Sequence, residues 1–248
     1  MAKPDQSYDV PEDAPAEQAG DVMRKLLKAG VSGVPVVGGP VAELMTLIQS
    51  SIDRRKDDWF GNIAHELNRV RKRVKDIEDR DIYEDEAFVS AVLNASSVAV
   101  RTHQTEKREA LKNAVLNSAL RNEPDEDLQA IFLALVDRFT PWHLRILKLF
   151  DDPEEWLRQE GKDTSQYASR MTGAGVQVLE DAFPELKGQR EFYDQIVADV
   201  SASGLMGVWS LHTTMTGSGM LARRTTTMGR RFLEFISAPG EREEASVT

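Results

Sequence analysis

The sequence predicts a mostly α chain, with an N-terminal helical bundle followed by a helical domain that carries one small β-hairpin. Three observations lead there. Apolar residues recur at helical spacing from Val41 to Val136. Thr140–Asp152 and Thr227–Ile236 read as well-punctuated helices that open and close the second domain. The period turns strand-like only at 208–213 and 220–225, on either side of the turn-rich M-T-G-S-G at 215–219.

The whole chain sets the outer limits. Its 248 residues, 41% apolar and 29% charged, suit one large or two modest globular domains. With no cysteine, disulfides, thiolate metal sites, cysteine nucleophiles and iron–sulfur clusters are excluded. A net charge of -10 argues against a general nucleic-acid coat protein. Residues 1–22 and 121–248 are acidic, whereas 23–120 are slightly basic. Met1–Gly20 has prolines, acids and no apolar run, so no signal peptide is expected there and the expected location is cytoplasmic.

Taken in order, residues 1–21 read as a disordered acidic tail, too poor in apolar side chains to offset the entropy of ordering. Val22–Lys28 suits a short amphipathic helix. Ala29–Ile48 then carries Glu43 as its only formal charge, over a length comparable to a bilayer span. Its glycines and prolines favour a buried linker, with Pro40 in the first turn of the next helix. In a membrane-active protein the same stretch would insert through Val31, Val34, Val36, Val37, Val41 and Leu44.

From Val41 a long helix is expected, with a bend at Gly61 and a coiled-coil-like seam of Ile63, Leu67, Val70, Val74 and Ile77. The seam needs a partner helix, and self-association would supply one. The basic run Arg69 to Lys75 reads as a solvated face balanced by Asp76, Glu78 and Asp79. Small residues around Phe88–Ala99 and Ala110–Ala119 suit close helix packing and complete a bundle over 22–120. R-N-E-P-D-E-D at 121–127 is the expected domain boundary, and Leu128–Val136 the helix that follows it.

Thr140 and Pro141 supply the cap and first position of the next helix, whose apolar face holds Leu144, Ile146, Leu147 and Phe150. A short helix near Trp156, another over Gly175–Phe183, and Gln189–Ala202 with Phe192, Ile196, Val197 and Val200 inward come next, the last stopped by Gly204. The hairpin and the closing helix, with Met228, Phe232, Leu233 and Phe235 inward, complete a domain over 121–238. Residues 239–248 form a second expected disordered tail.

That order of elements resembles winged-helix domains. The resemblance covers 140–236 and rests on G-L-M at 204–206, entering the wing, and R-R-T-T-T-M-G-R-R-F-L at 223–233, leaving it. Residues 22–120 resemble bacterial abortive-infection proteins and HeLo-like cell-death bundles, which pair a glycine-rich apolar segment with amphipathic helices. The resemblances imply a macromolecule-binding C-terminal domain and an antiphage or cell-death context.

A winged helix that reads DNA needs a basic surround. The candidate recognition helix instead offers Arg190 among Glu191, Asp194 and Asp199. Arg223, Arg224, Arg230 and Arg231 are the candidate cations of the wing and closing helix, for phosphate or for a protein partner. No enzyme motif is complete. His65-Glu66 opens like a zinc-protease motif, but Arg69 stands where the second histidine belongs. The G-V-S-G-V-P-V-V-G-G stretch lacks the lysine of a phosphate loop, and His103, His143 and His212 show no ligand spacing. Asp57-Asp58, Asp151-Asp152 and Glu154-Glu155 read as helix-start or solvated acids.

No catalytic residue, metal or cofactor is therefore expected. The expected function is a non-enzymatic regulatory or defence-associated interaction protein, using its winged helix for protein contacts. One alternative is a membrane-perturbing effector acting through 29–48 and lying peripherally on the membrane once activated. The other is a DNA-binding regulator.

Overall fold

The computed structural model describes residues 40–73, 84–120, 124–168 and 171–239. It is mostly helical, with one small antiparallel sheet. The expected tails, the helix at 22–28 and the linker at 29–39 lie outside the described residues. Two compact units are distinguished, 1–51 and 52–248. Of the first, the opening turns of helix α1 (Pro40–Arg73) are described. No described helix is long and apolar enough to cross a membrane.

The second unit begins within α1, which runs through Gly61 as continuous helix. It continues with α2 (Glu86–Arg101), α3 (Thr105–Ser118), α4 (Glu126–Arg138), α5 (Pro141–Asp151), α6 (Pro153–Gln159) and α7 (Ser165–Ala168). Strand β1 (Gly173–Ala174), α8 (Gly175–Ala182), a 3-10 turn at Pro184–Leu186, α9 (Arg190–Ala202), β2 (Thr214–Met215), α10 (Gly217–Met220) and α11 (Thr227–Ile236) follow.

The seam of α1 finds its partner inside the chain. Ile63, Leu67 and Val70 are buried in the common core, so these three positions present no face to a second copy. Two bonds fix α1 antiparallel to α2: the Trp59 indole N–H donates to Ser96 Oγ (2.8 Å) and Arg55 donates to Val100 O (3.3 Å). Val74 and Ile77 lie outside the described residues.

The break at 121–127 is not a boundary of packing. Helix α3, before it, packs against α4 and α11, which both come after it. Phe132 of α4 meets Phe232 of α11 edge-on at 5.3 Å between centroids, and Phe139 meets Phe232 at 6.2 Å. The polar side of this joint is made by two asparagines one turn apart on α3. Asn117 donates to Phe235 O (2.8 Å) and Ser237 O (2.9 Å), and Asn113 to Ile236 O (3.1 Å). The last carbonyls of a helix have no partner within it, and here the expected first domain supplies the donors.

The expected hairpin forms differently. Thr216 caps α10 by accepting from Gly219 N–H (3.2 Å), so the turn-rich M-T-G-S-G folds as a helical turn. Residues 208–213 and 220–225 do not pair as strands. β2 pairs instead with β1, Gly173 opposite Met215, and a single bridge between Met206 and Thr225 closes the base of the loop. Gly229 permits that closure, because a Cβ there would stand 2.0 Å from Leu205 O.

Replacing Asn117 with Ala removes the donor to Phe235 O and Ser237 O in a half-buried place, while Asn113 still reaches Ile236 O, and should cost about 1–3 kcal/mol of unfolding free energy. Urea denaturation followed by far-UV circular dichroism measures it, and Asn117→Asp should fare no better because the donor is lost.

Candidate macromolecule interface

The candidate interface is built on α9, on the loop from Leu205 to Thr226 and on the start of α11. Tyr193, Ile196, Val197 and Val200 form the inward stripe of α9, spaced for one helix face. Helical spacing alone puts Phe192 there. Tyr193 takes that position, and Phe192 turns outward with 40% of its surface exposed. Glu191 and Gln195 are exposed with it.

Asp194 and Asp199 on this helix are engaged within the chain. Asp194 accepts from His212 Nε2 (2.9 Å) and faces Arg190 Nε at 3.4 Å. Asp199 accepts from Gln195 (2.9 Å) and faces His143 Nε2 at 3.4 Å.

Arg223 and Arg224, the cations expected on a wing, turn back onto the fold. Arg223 Nε donates to Asp151 O, the last carbonyl of α5, at 2.6 Å, with the Asp151 and Asp152 carboxylates at 3.7 and 3.9 Å. Arg224 N–H donates to Phe150 O (2.8 Å), and Thr225 Oγ1 donates to Asp151 Oδ1 (2.6 Å). Three consecutive residues thus clamp the loop to the C-terminus of α5, where a cation also meets the negative end of the helix dipole.

The Arg224 guanidinium donates to Gly219 O (2.6 Å), ending α10, and lies 4.6 Å from the centroid of the Trp209 ring. Trp209 in turn stands edge-on to Phe150, and Gly175 makes room for its ring, since a Cβ there would come within 2.5 Å. Burial holds the Arg224 pKa below the ordinary guanidinium value, and no carboxylate among the described residues offsets it.

Arg230 and Arg231, on α11, form no ion pair among the described residues. The structure therefore does not gather the five arginines into one cationic surface. Arg190, Arg223 and Arg224 serve intramolecular contacts, and Arg230 and Arg231 stand apart on another helix. Of the candidate inserting residues, Val31, Val34, Val36 and Val37 lie outside the described residues, and Val41 and Leu44 fall in the first turns of α1. Arg69, in place of a second histidine ligand, pairs with Glu66 at 2.7 Å.

His143, one of the histidines without ligand spacing, is a buried polar residue. Thr140 is the N-cap of α5, and its backbone N–H donates to His143 Nδ1 at 3.1 Å, the reciprocal half of a capping box. Nδ1 is therefore the unprotonated nitrogen, and Nε2–H faces Asp199. The ring stacks on Phe139 at 4.8 Å. Burial lowers the pKa of His143 below 6.5, with Arg138 and Lys107 adding to the effect and Asp199 opposing it.

No protein-family model, no curated protein and no solved structure matches this chain.

Two predictions come from these contacts. Arg223→Ala should lower stability by about 1–2 kcal/mol, by releasing the α5 terminus, a contact discounted for its half-exposed setting. Chemical denaturation of the variant against the parent checks it. Because the unfolded chain takes up a proton at His143 more readily than the folded one, the contribution of His143 to stability should be complete above about pH 6.5 and be lost as pH falls from there through its lower folded-state pKa. His143→Gln keeps a side-chain acceptor at the same capping position without titrating there, so its melting temperature should fall less than the parent's between about pH 7.5 and pH 5.

Proposed function

We propose that the chain is a non-enzymatic regulatory interaction protein whose C-terminal half, a domain of winged-helix type, recognises a protein partner through the outer face of α9. The order α5, β1, α8, α9, β2, α11, with the Met206–Thr225 bridge at the base of a loop, supports the winged-helix reading. The observation that carries the functional reading is Phe192. An aromatic ring stands on the solvent face of the helix that a DNA reader would lay in the major groove, next to Glu191.

Electrostatics points the same way. A phosphate backbone needs cations that are free to meet it. Arg190, beside Asp194, and Arg223, beside Asp151, already have anionic neighbours, which leaves Arg230 and Arg231, on another helix, as candidate cations without one among the described residues, whereas an exposed aromatic anchor with a polar rim suits a protein contact.

Cross-linking the full chain in extract of its own cells, followed by mass spectrometry, should place partner cross-links around α9. Phe192→Asp, a surface change expected to leave stability within about 0.5 kcal/mol, should remove them. Titration of a duplex of about 20 base pairs should show no binding at about 150 mM salt. Salt-steep binding weakened by replacing Arg230 and Arg231 with Ala would overturn the reading in favour of DNA.

A further inference from the structure

A cleft of about 470 Å³ opens between α1 and the start of α3, within the second unit and away from α9. That volume is in the range of small-molecule sites. Its floor is Trp59, only 2% exposed and anchored by its indole N–H on Ser96. One wall, from α1, carries Asp57 and Asp58, and the other carries His103 and Arg108.

These four side chains form no ion pair and no side-chain hydrogen bond among the described residues. Lys112 and Glu109, also on the α3 side, neutralise each other as an ion pair. Opposite charges thus line the same opening, Asp57, Asp58 and His103 at exposed positions, without pairing across it.

Gly61 supplies an independent observation. It lies in the interior of a 34-residue helix, where glycine is a poorer helix former than alanine. Its φ is not positive, and a Cβ built there would meet nothing within 4 Å. Packing within the described chain therefore does not require the missing side chain. Gly61 lines the cleft, where bare backbone lets a ligand come close.

We propose that this cleft binds a small zwitterion, of the free amino-acid or short-peptide class. The ammonium group meets Asp57 and Asp58, and the carboxylate meets Arg108 and His103. Paired acids on one wall repel a phosphate or polyanion, and a charged lining offers little to an apolar ligand. The proposal does not depend on the reading of α9.

Isothermal titration of the full chain with glycylglycine, L-lysine and L-glutamate, each up to about 10 mM, tests it, with acetate and ethylammonium as single-charge controls. At least one zwitterion should bind saturably, and both controls at least about tenfold more weakly. Asp58→Asn and Arg108→Gln should each weaken binding at least about tenfold. Gly61→Leu, which fills the cleft from an exposed helix position, should abolish binding while circular dichroism stays that of the parent. Absence of saturable binding by all three zwitterions, equal binding of acetate, or undiminished binding by folded Gly61→Leu would each overturn the proposal.

Discussion

The carbonyls left over at helix C-termini are the constraint around which the second unit is arranged. A helix cannot satisfy its last carbonyls itself, and when its end is packed against other elements, water is a poor substitute. Side chains distant in sequence take the role. Arg55 closes α2, Lys107 closes α4 by donating to Asp137 O (2.8 Å), and Arg223 closes α5. Lys162 closes α8 through Asp181 O and Ala182 O, and Asn113 with Asn117 closes α11. Each contact satisfies an acceptor and ties one helix to another element. Most of the donors are cations, favoured at the negative end of the dipole.

This arrangement explains an otherwise awkward distribution of charge. Lys107 is buried, a costly position for an ammonium group, and desolvation lowers its pKa. It is tolerated because a helix terminus faces it and the carboxylate of Asp137 is near. The same logic commits Arg223 and Arg224 to backbone carbonyls of the fold. They resemble a phosphate grip when read along the chain, and they are fasteners in the fold.

Apolar packing supplies the other half of the joint between the expected domains. Phe132, Phe139, Phe232 and Phe235 gather where α4 and α11 meet, and the asparagines of α3 satisfy the backbone beside them. Close approach then becomes a requirement. Gly229 lets α11 begin against the backbone of Leu205, and Gly175 admits the ring of Trp209. The outer face of α9, with Phe192, and the cleft at Gly61, with Asp57, Asp58, His103 and Arg108, are among the surfaces that this internal bonding leaves with exposed or unpaired groups. For that reason they carry the functional proposals.

The sequence by itself determined most of the longer helices. Period, caps and breakers located α2 to α5, α9 and α11 closely, since these signals are local: Thr140-Pro141 opens α5, and Gly204, with φ of 74°, ends α9. What joins one helix to another was not legible. The partner of the Ile63–Val70 seam, the packing across 121–127 and the duties of Arg223 and Arg224 depend on residues tens of positions away. Hydrophobic spacing says that a face is buried and is silent about what buries it. The strands failed for a related reason. Two-residue ladders such as Gly173–Ala174 with Thr214–Met215 are too short to show a period, and the capping hydroxyl of Thr216 outweighed the strand-like composition on either side of α10. Only the tertiary structure could decide which cations were committed to helix ends, because a carbonyl acceptor has no side-chain signature in the sequence.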